Sequence, residues 1–133
     1  MSHDDPGPAL AVANADLRSD LSAIAEARRF TRQFLRGSRG DVRSDAELLT
    51  AELVSNAVEH GGGEIRLSRD CVDGVLRVRV RDGSPHQPEL RRPTIAEERG
   101  RGLLLVERLA LSWGVAPDLA TGGKTVWFRL RAG

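Results

Sequence analysis

An α+β domain is what this sequence predicts, and three observations predict it. Apolar residues recur at helical spacing through the first half, from about Ser19 to His60. Strict alternation then takes over in EIRLS and VLRVRVRD, on either side of Asp73-Gly74. A last alternating run, TVWFRL, follows Thr121-Gly122-Gly123. At 133 residues, 40% of them hydrophobic, the chain can bury a core without disulfides or metals, so one domain is expected.

The polar, proline-bearing start, residues 1–8, reads as a flexible tail, and residues 9–133 as the domain, opening with a short strand at Ala9 to Ala13. From Ser19 to Arg36, Leu21, Ile24, Ala25, Phe30, Phe34 and Leu35 lie at broadly helical spacing, and Gly37 ends the pattern. A second helix is expected from a capping box, Ser44 with Glu47, to His60, where Gly61-Gly62-Gly63 stops it. The alternating runs around Asp73-Gly74 form a hairpin. Gly83 to Gly100 holds three prolines and clustered charges without a period, so it reads as a long loop of the kind that serves as a lid. Gly102 opens a helix to about Leu111, Trp113 to Ala116 reads as a strand, and TVWFRL closes the sheet.

Lys and Arg number 20 against 19 Asp and Glu, and this balance points away from nucleic acid. Cys71 stands alone, no charged-then-apolar leader precedes Leu10, and no apolar run approaches the roughly 20 residues of a membrane span. A cytoplasmic protein is expected. His3, His60 and His86 lie too far apart to suggest zinc.

Three constellations carry possible chemistry. Glu52 and Asn56 project from one helix face a turn apart, and His60 continues the stripe. Leu49, Leu53, Val54, Ala57 and Val58 fill the adjoining arc, so the pair stands at the edge of the apolar face. Such residues also occur at any helix boundary. Asp82 shares a strand face with Leu76, Val78 and Val80, while Arg77, Arg79 and Arg81 take the other, so a carboxylate falls on the core side. It could accept from a ligand, or from backbone N–H groups in the turn at Gly83-Ser84-Pro85. Gly100-Arg101-Gly102 before a helix could admit phosphate oxygens to backbone N–H groups, or simply make a tight turn. Two other phosphate motifs fail. GGKT at Gly122 lacks the first P-loop glycine, with Asp118 in its place, and precedes a strand; Leu105 stands where a dinucleotide fingerprint needs its third glycine.

Taken in order, ELVSNAVEHG from Glu52, VRVRDGSP through Asp82-Gly83, GRGLLLVERLA from Gly100 and GGKTVWF from Gly122 resemble the N, G1, G2 and G3 boxes of the GHKL ATPases. ARRFTRQFLRG and DAELLTAELVSNAVEHGG are similar to the compact anti-sigma-factor serine/threonine kinase branch. The resemblance implies a Bergerat-type α+β sandwich, with one mixed, mostly antiparallel sheet and helices on one face. It implies ATP with Mg²⁺ as cofactors. Glu52 would be the general base or would position the attacking group, Asn56 would be the Mg²⁺ ligand, and Asp82 the acceptor for the adenine amino group. His60, Gly83, Gly100, Arg101, Gly102, Leu103 and Thr125 would complete the nucleotide contacts. One departure is that Ser84 occupies the third position of the usual Asp-x-Gly of G1. The implied function is protein serine/threonine kinase and anti-sigma factor, with a STAS-type anti-anti-sigma protein and a sigma factor as partners and a homodimer as the assembly. The competing reading is a nucleotide-responsive module that sequesters a partner with little or no transfer chemistry.

Overall fold

The computed structural model describes residues 13–35, 37–60, 63–84 and 106–132, with the backbone alone at His60. Seven elements follow in order: β1 Ala13–Leu17, α1 Ser22–Phe34, α2 Gly40–His60, β2 Ile65–Val72, β3 Val75–Asp82, β4 Ser112–Pro117 and β5 Lys124–Arg131. The strands form one sheet in the order β1-β2-β3-β5-β4, and each of its pairings among the described residues is antiparallel. α1 and α2 pack together on one side of it. This is the expected α+β layer arrangement.

Alternation decides what each strand offers the helices. Leu17, Ile65, Leu67, Leu76, Val78, Val80, Val115, Val126, Phe128 and Leu130 join the core, together with Leu49, Leu53, Val54 and Ala57 of α2. The other sheet face carries Arg77, Arg79, Arg81 and Arg129, and cross-strand pairs balance part of that charge. Asp70 and Arg77 meet at 2.7 Å in a buried ion pair, and Arg81 reaches Asp118 at 2.7 Å. The hairpin turn is as the sequence predicts. Asp73 and Gly74 both take positive φ, 52° and 75°, which a two-residue turn matched to strand twist requires.

Several boundaries differ from expectation. The described first strand runs from Ala13 to Leu17, whereas most of Ala9 to Ala13 lies outside the described residues. ANADL alternates as a strand should, with Ala15 and Leu17 turned toward the core. α1 starts at Ser22, because Asp20 accepts the Ser22 N–H at 2.8 Å and also its hydroxyl, which ends the preceding bend at Asp20. Leu21 is left 76% exposed outside the helix. α2 starts at Gly40, a turn before the expected capping box at Ser44. Arg43 N–H already bonds to Arg39 C=O, and the Glu47 carboxylate is taken by Arg32 at 2.9 Å. Of the expected third helix, a turn at 106–109 lies within the described residues and closes with Ala110 N–H to Val106 C=O.

One glycine is sterically required. A Cβ on Gly123 would fall far inside van der Waals contact with the Asp82 carbonyl oxygen, with Gly83 Cα only 3.2 Å away. Backbone cannot yield as a flexible side chain can. Gly123→Ala is therefore expected to force β5 away from the end of β3 and cost about 1–3 kcal/mol, the usual range for overpacking. Urea unfolding checks this; an unchanged midpoint would refute it.

Candidate nucleotide site

The candidate residues that the structure describes lie on α2 and at the paired ends of β3 and β5. On α2, Leu49, Leu53, Val54 and Ala57 are buried, while Glu52 and Asn56 are half-buried beside them. Both stand at the edge of the apolar face, as their spacing predicts. Burial pushes the Glu52 carboxyl above its ordinary value; Arg28 nearby pulls it down, and Glu59 raises it further. Among the described residues no hydrogen-bond donor meets the Glu52 carboxylate, so the hydration that burial removes is not replaced.

A carboxyl raised in the folded state contributes most below its unfolded value, and that contribution is lost as pH rises through the folded value. Glu52→Gln should therefore raise the melting temperature at neutral pH, and the gain should vanish below about pH 4, where both states are protonated. Melting curves at two pH values test this. An equal shift at both would show that burial of charge is not the cause.

At the sheet end, Asp82 is 3% and Lys124 4% exposed, and they face each other across the β3–β5 ladder. Lys124 Nζ donates to Asp82 Oδ1 at 2.9 Å and to the Ser84 carbonyl at 3.4 Å, while Ser84 N–H donates to the same Oδ1 at 2.8 Å. Asp82 thus does accept a backbone N–H in the strand-ending turn, and Ser84, at the usual glycine position, supplies it. It also holds a buried cation that sequence reasoning did not assign to the site. A signal was present: Lys124, Val126, Phe128 and Leu130 alternate onto the same face.

Thr125 is paired with Arg81, on the sheet face away from Asp82 and the helices. The structure therefore does not bring Thr125 together with Asp82; Lys124 holds that place on β5. Gly83 follows Asp82 directly and is exposed. Gly100, Arg101, Gly102 and Leu103 lie outside the described residues, as do the side chain of His60 and the loop beyond Ser84 that the sequence reads as a lid. A cleft of about 220 Å³ opens at this end of the sheet, lined by Asp16, Arg66, Arg81, Asp82 and Gly83 among others. Asp16, Arg66 and Arg81 belong to the open sheet face, so this cleft is distinct from the side on which α2 stands.

The donor set fits Mg-nucleotide. Mg²⁺ takes oxygen ligands and keeps much of its shell for phosphates and water, so the half-buried Asn56 amide oxygen is chemically suited to serve as a protein ligand. Among the described residues there is no cluster of three His, Cys, Asp or Glu side chains that could cage a metal alone.

Comparison with known proteins identifies the family. The family model described as histidine kinase-like ATPase domain matches residues 17–130, nearly the whole chain. The chain belongs to that family. Histidine kinase-like ATPase domains bind ATP, generally with Mg²⁺, and act as ATP-dependent kinases or ATPases, which gives this domain an ATP-binding regulatory role. Among solved structures, the histidine kinase AdeS of Acinetobacter baumannii is similar at 11% identity and a TM-score of 0.47, covering 93% of this chain and 70% of that one. A comparison with proteins of curated function found no match. Among the described residues, this ATPase domain has no helix long and apolar enough to cross a membrane.

Proposed function

We propose that this histidine kinase-like ATPase domain is a cytoplasmic protein serine/threonine kinase and anti-sigma factor, acting on a STAS-type anti-anti-sigma protein and forming a homodimer. The observation that carries the catalytic half of the reading is Glu52. Its carboxylate is held half-buried at an energetic cost, one turn from Asn56, and a titratable group kept in such surroundings marks a functional position. The resemblance of α1 and α2 to the anti-sigma-factor branch supports the choice of partner.

Glu52 orients the acceptor hydroxyl and takes its proton, and burial raises its basicity for that purpose. Asn56 would hold Mg²⁺, whose chemistry is to neutralise charge on the phosphates. Asp82 would accept from the adenine amino group through the oxygen that Lys124 and Ser84 leave open. Phosphoryl transfer asks a protein chiefly for positioning and charge stabilisation, and these residues supply both on rigid elements.

The test is incubation of the purified domain with ATP, Mg²⁺ and candidate STAS proteins, followed by mass detection of phosphoserine or phosphothreonine. Modification of a STAS protein is the expected result. Tight partner binding with every candidate left unmodified would overturn the kinase and leave the sequestering module.

A further inference from the structure

We propose that Lys124 is a base-reading residue, donating from its ammonium to the ring nitrogen N1 of adenine while Asp82 accepts from the adjacent amino group. The inference rests on the ATP-binding reading and deepens it. Nothing in that reading required a cation here, since a carboxylate alone accounts for recognition of the amino group.

First, Lys124 is as buried as Asp82, and a buried ion pair is retained at a desolvation cost that an apolar pair would avoid. Second, the pair is only partly satisfied from within. An ammonium has three protons, and Lys124 directs donors to Asp82 Oδ1 and to the Ser84 carbonyl. Asp82 Oδ1 already accepts from Ser84 N–H and Lys124, and among the described residues no donor reaches Oδ2. One donor and one acceptor therefore remain side by side at the end of the helix-facing side of the sheet.

Third, that pattern matches one base edge. Adenine presents an amino donor beside an acceptor ring nitrogen, so acceptor Oδ2 and donor Nζ meet it in register. Guanine reverses both groups, with a carbonyl oxygen toward the carboxylate and an N–H toward the ammonium. Such mismatches leave buried polar groups unpaired and are strongly rejected. The backbone holds the two readers together, because the close approach of Gly123 to the Asp82 carbonyl fixes the start of β5 against the end of β3.

The experiment compares wild-type affinity for ATP, for 1-deaza-ATP, whose N1 is replaced by C–H, and for purine riboside triphosphate, which lacks the amino group. Wild type is expected to bind 1-deaza-ATP on the order of ten-fold more weakly than ATP, the loss of a hydrogen bond to a charged donor. Lys124→Met should abolish that preference. Should this variant fold poorly with Asp82 unpaired, the double variant Asp82→Asn, Lys124→Met removes both charges and serves instead. Equal wild-type affinity for ATP and 1-deaza-ATP would overturn the role of Lys124 and leave nucleotide binding intact, with the ion pair purely structural. Failure to bind any of the three nucleotides would instead overturn the ATP-binding reading itself and this inference with it.

Discussion

Asp82→Ala is expected to damage the fold as severely as any single substitution at the site. Removing the carboxylate strands the Lys124 ammonium at 4% exposure and deprives Ser84 N–H of its acceptor. Breaking one partner of a buried ion pair typically costs about 3–5 kcal/mol, which is a large share of the roughly 5–15 kcal/mol that holds a domain together. A fall in ATP affinity in this variant would therefore mix loss of a base contact with loss of structure. Asp82→Asn, which keeps an acceptor oxygen, should be milder. Asp82→Leu combined with Lys124→Met should recover most of the stability, because a well-packed apolar pair needs no compensation. Urea unfolding of the three variants is the check. If the double variant is no more stable than Asp82→Ala, the ion pair is not what the single substitution breaks.

Glu52→Ala should separate transfer from binding. The Glu52 side chain is half-buried without a structural hydrogen bond among the described residues, so its removal leaves no buried partner stranded and the fold should persist. ATP should bind almost as in wild type, while phosphorylation of the proposed STAS-type partner slows by about 10²-fold or more, the range for lost acid–base assistance. Asn56→Ala should lose both, since Asn56 would hold the Mg²⁺ whose charge offsets that of the phosphates in binding and in transfer. Calorimetry with ATP and Mg²⁺ beside single-turnover transfer distinguishes the two variants. Equal loss of binding and transfer in Glu52→Ala would make that residue part of the nucleotide pocket rather than the base.

Local patterns in the sequence determined much of this architecture, because helical and strand periodicities act over a few residues at a time. The α2 stripe, the Asp73-Gly74 hairpin and the core-side position of Asp82 were all legible that way. Helix starts were less so. Ser44 and Glu47 formed a valid capping signal, but the competing Arg32–Glu47 pair bridges α1 and α2, a contact no local pattern contains.

Tertiary structure alone decided what faces Asp82. Its partner arrives from β5 only because the sheet places β5 beside β3, with β4 outermost. Strand order and register depend on pairings between distant segments, so alternation could assign Lys124 and Thr125 to opposite faces but could not say which would meet the carboxylate. The same pairing turned a lone acidic residue into half of a buried ion pair, whose energy belongs to neither strand by itself.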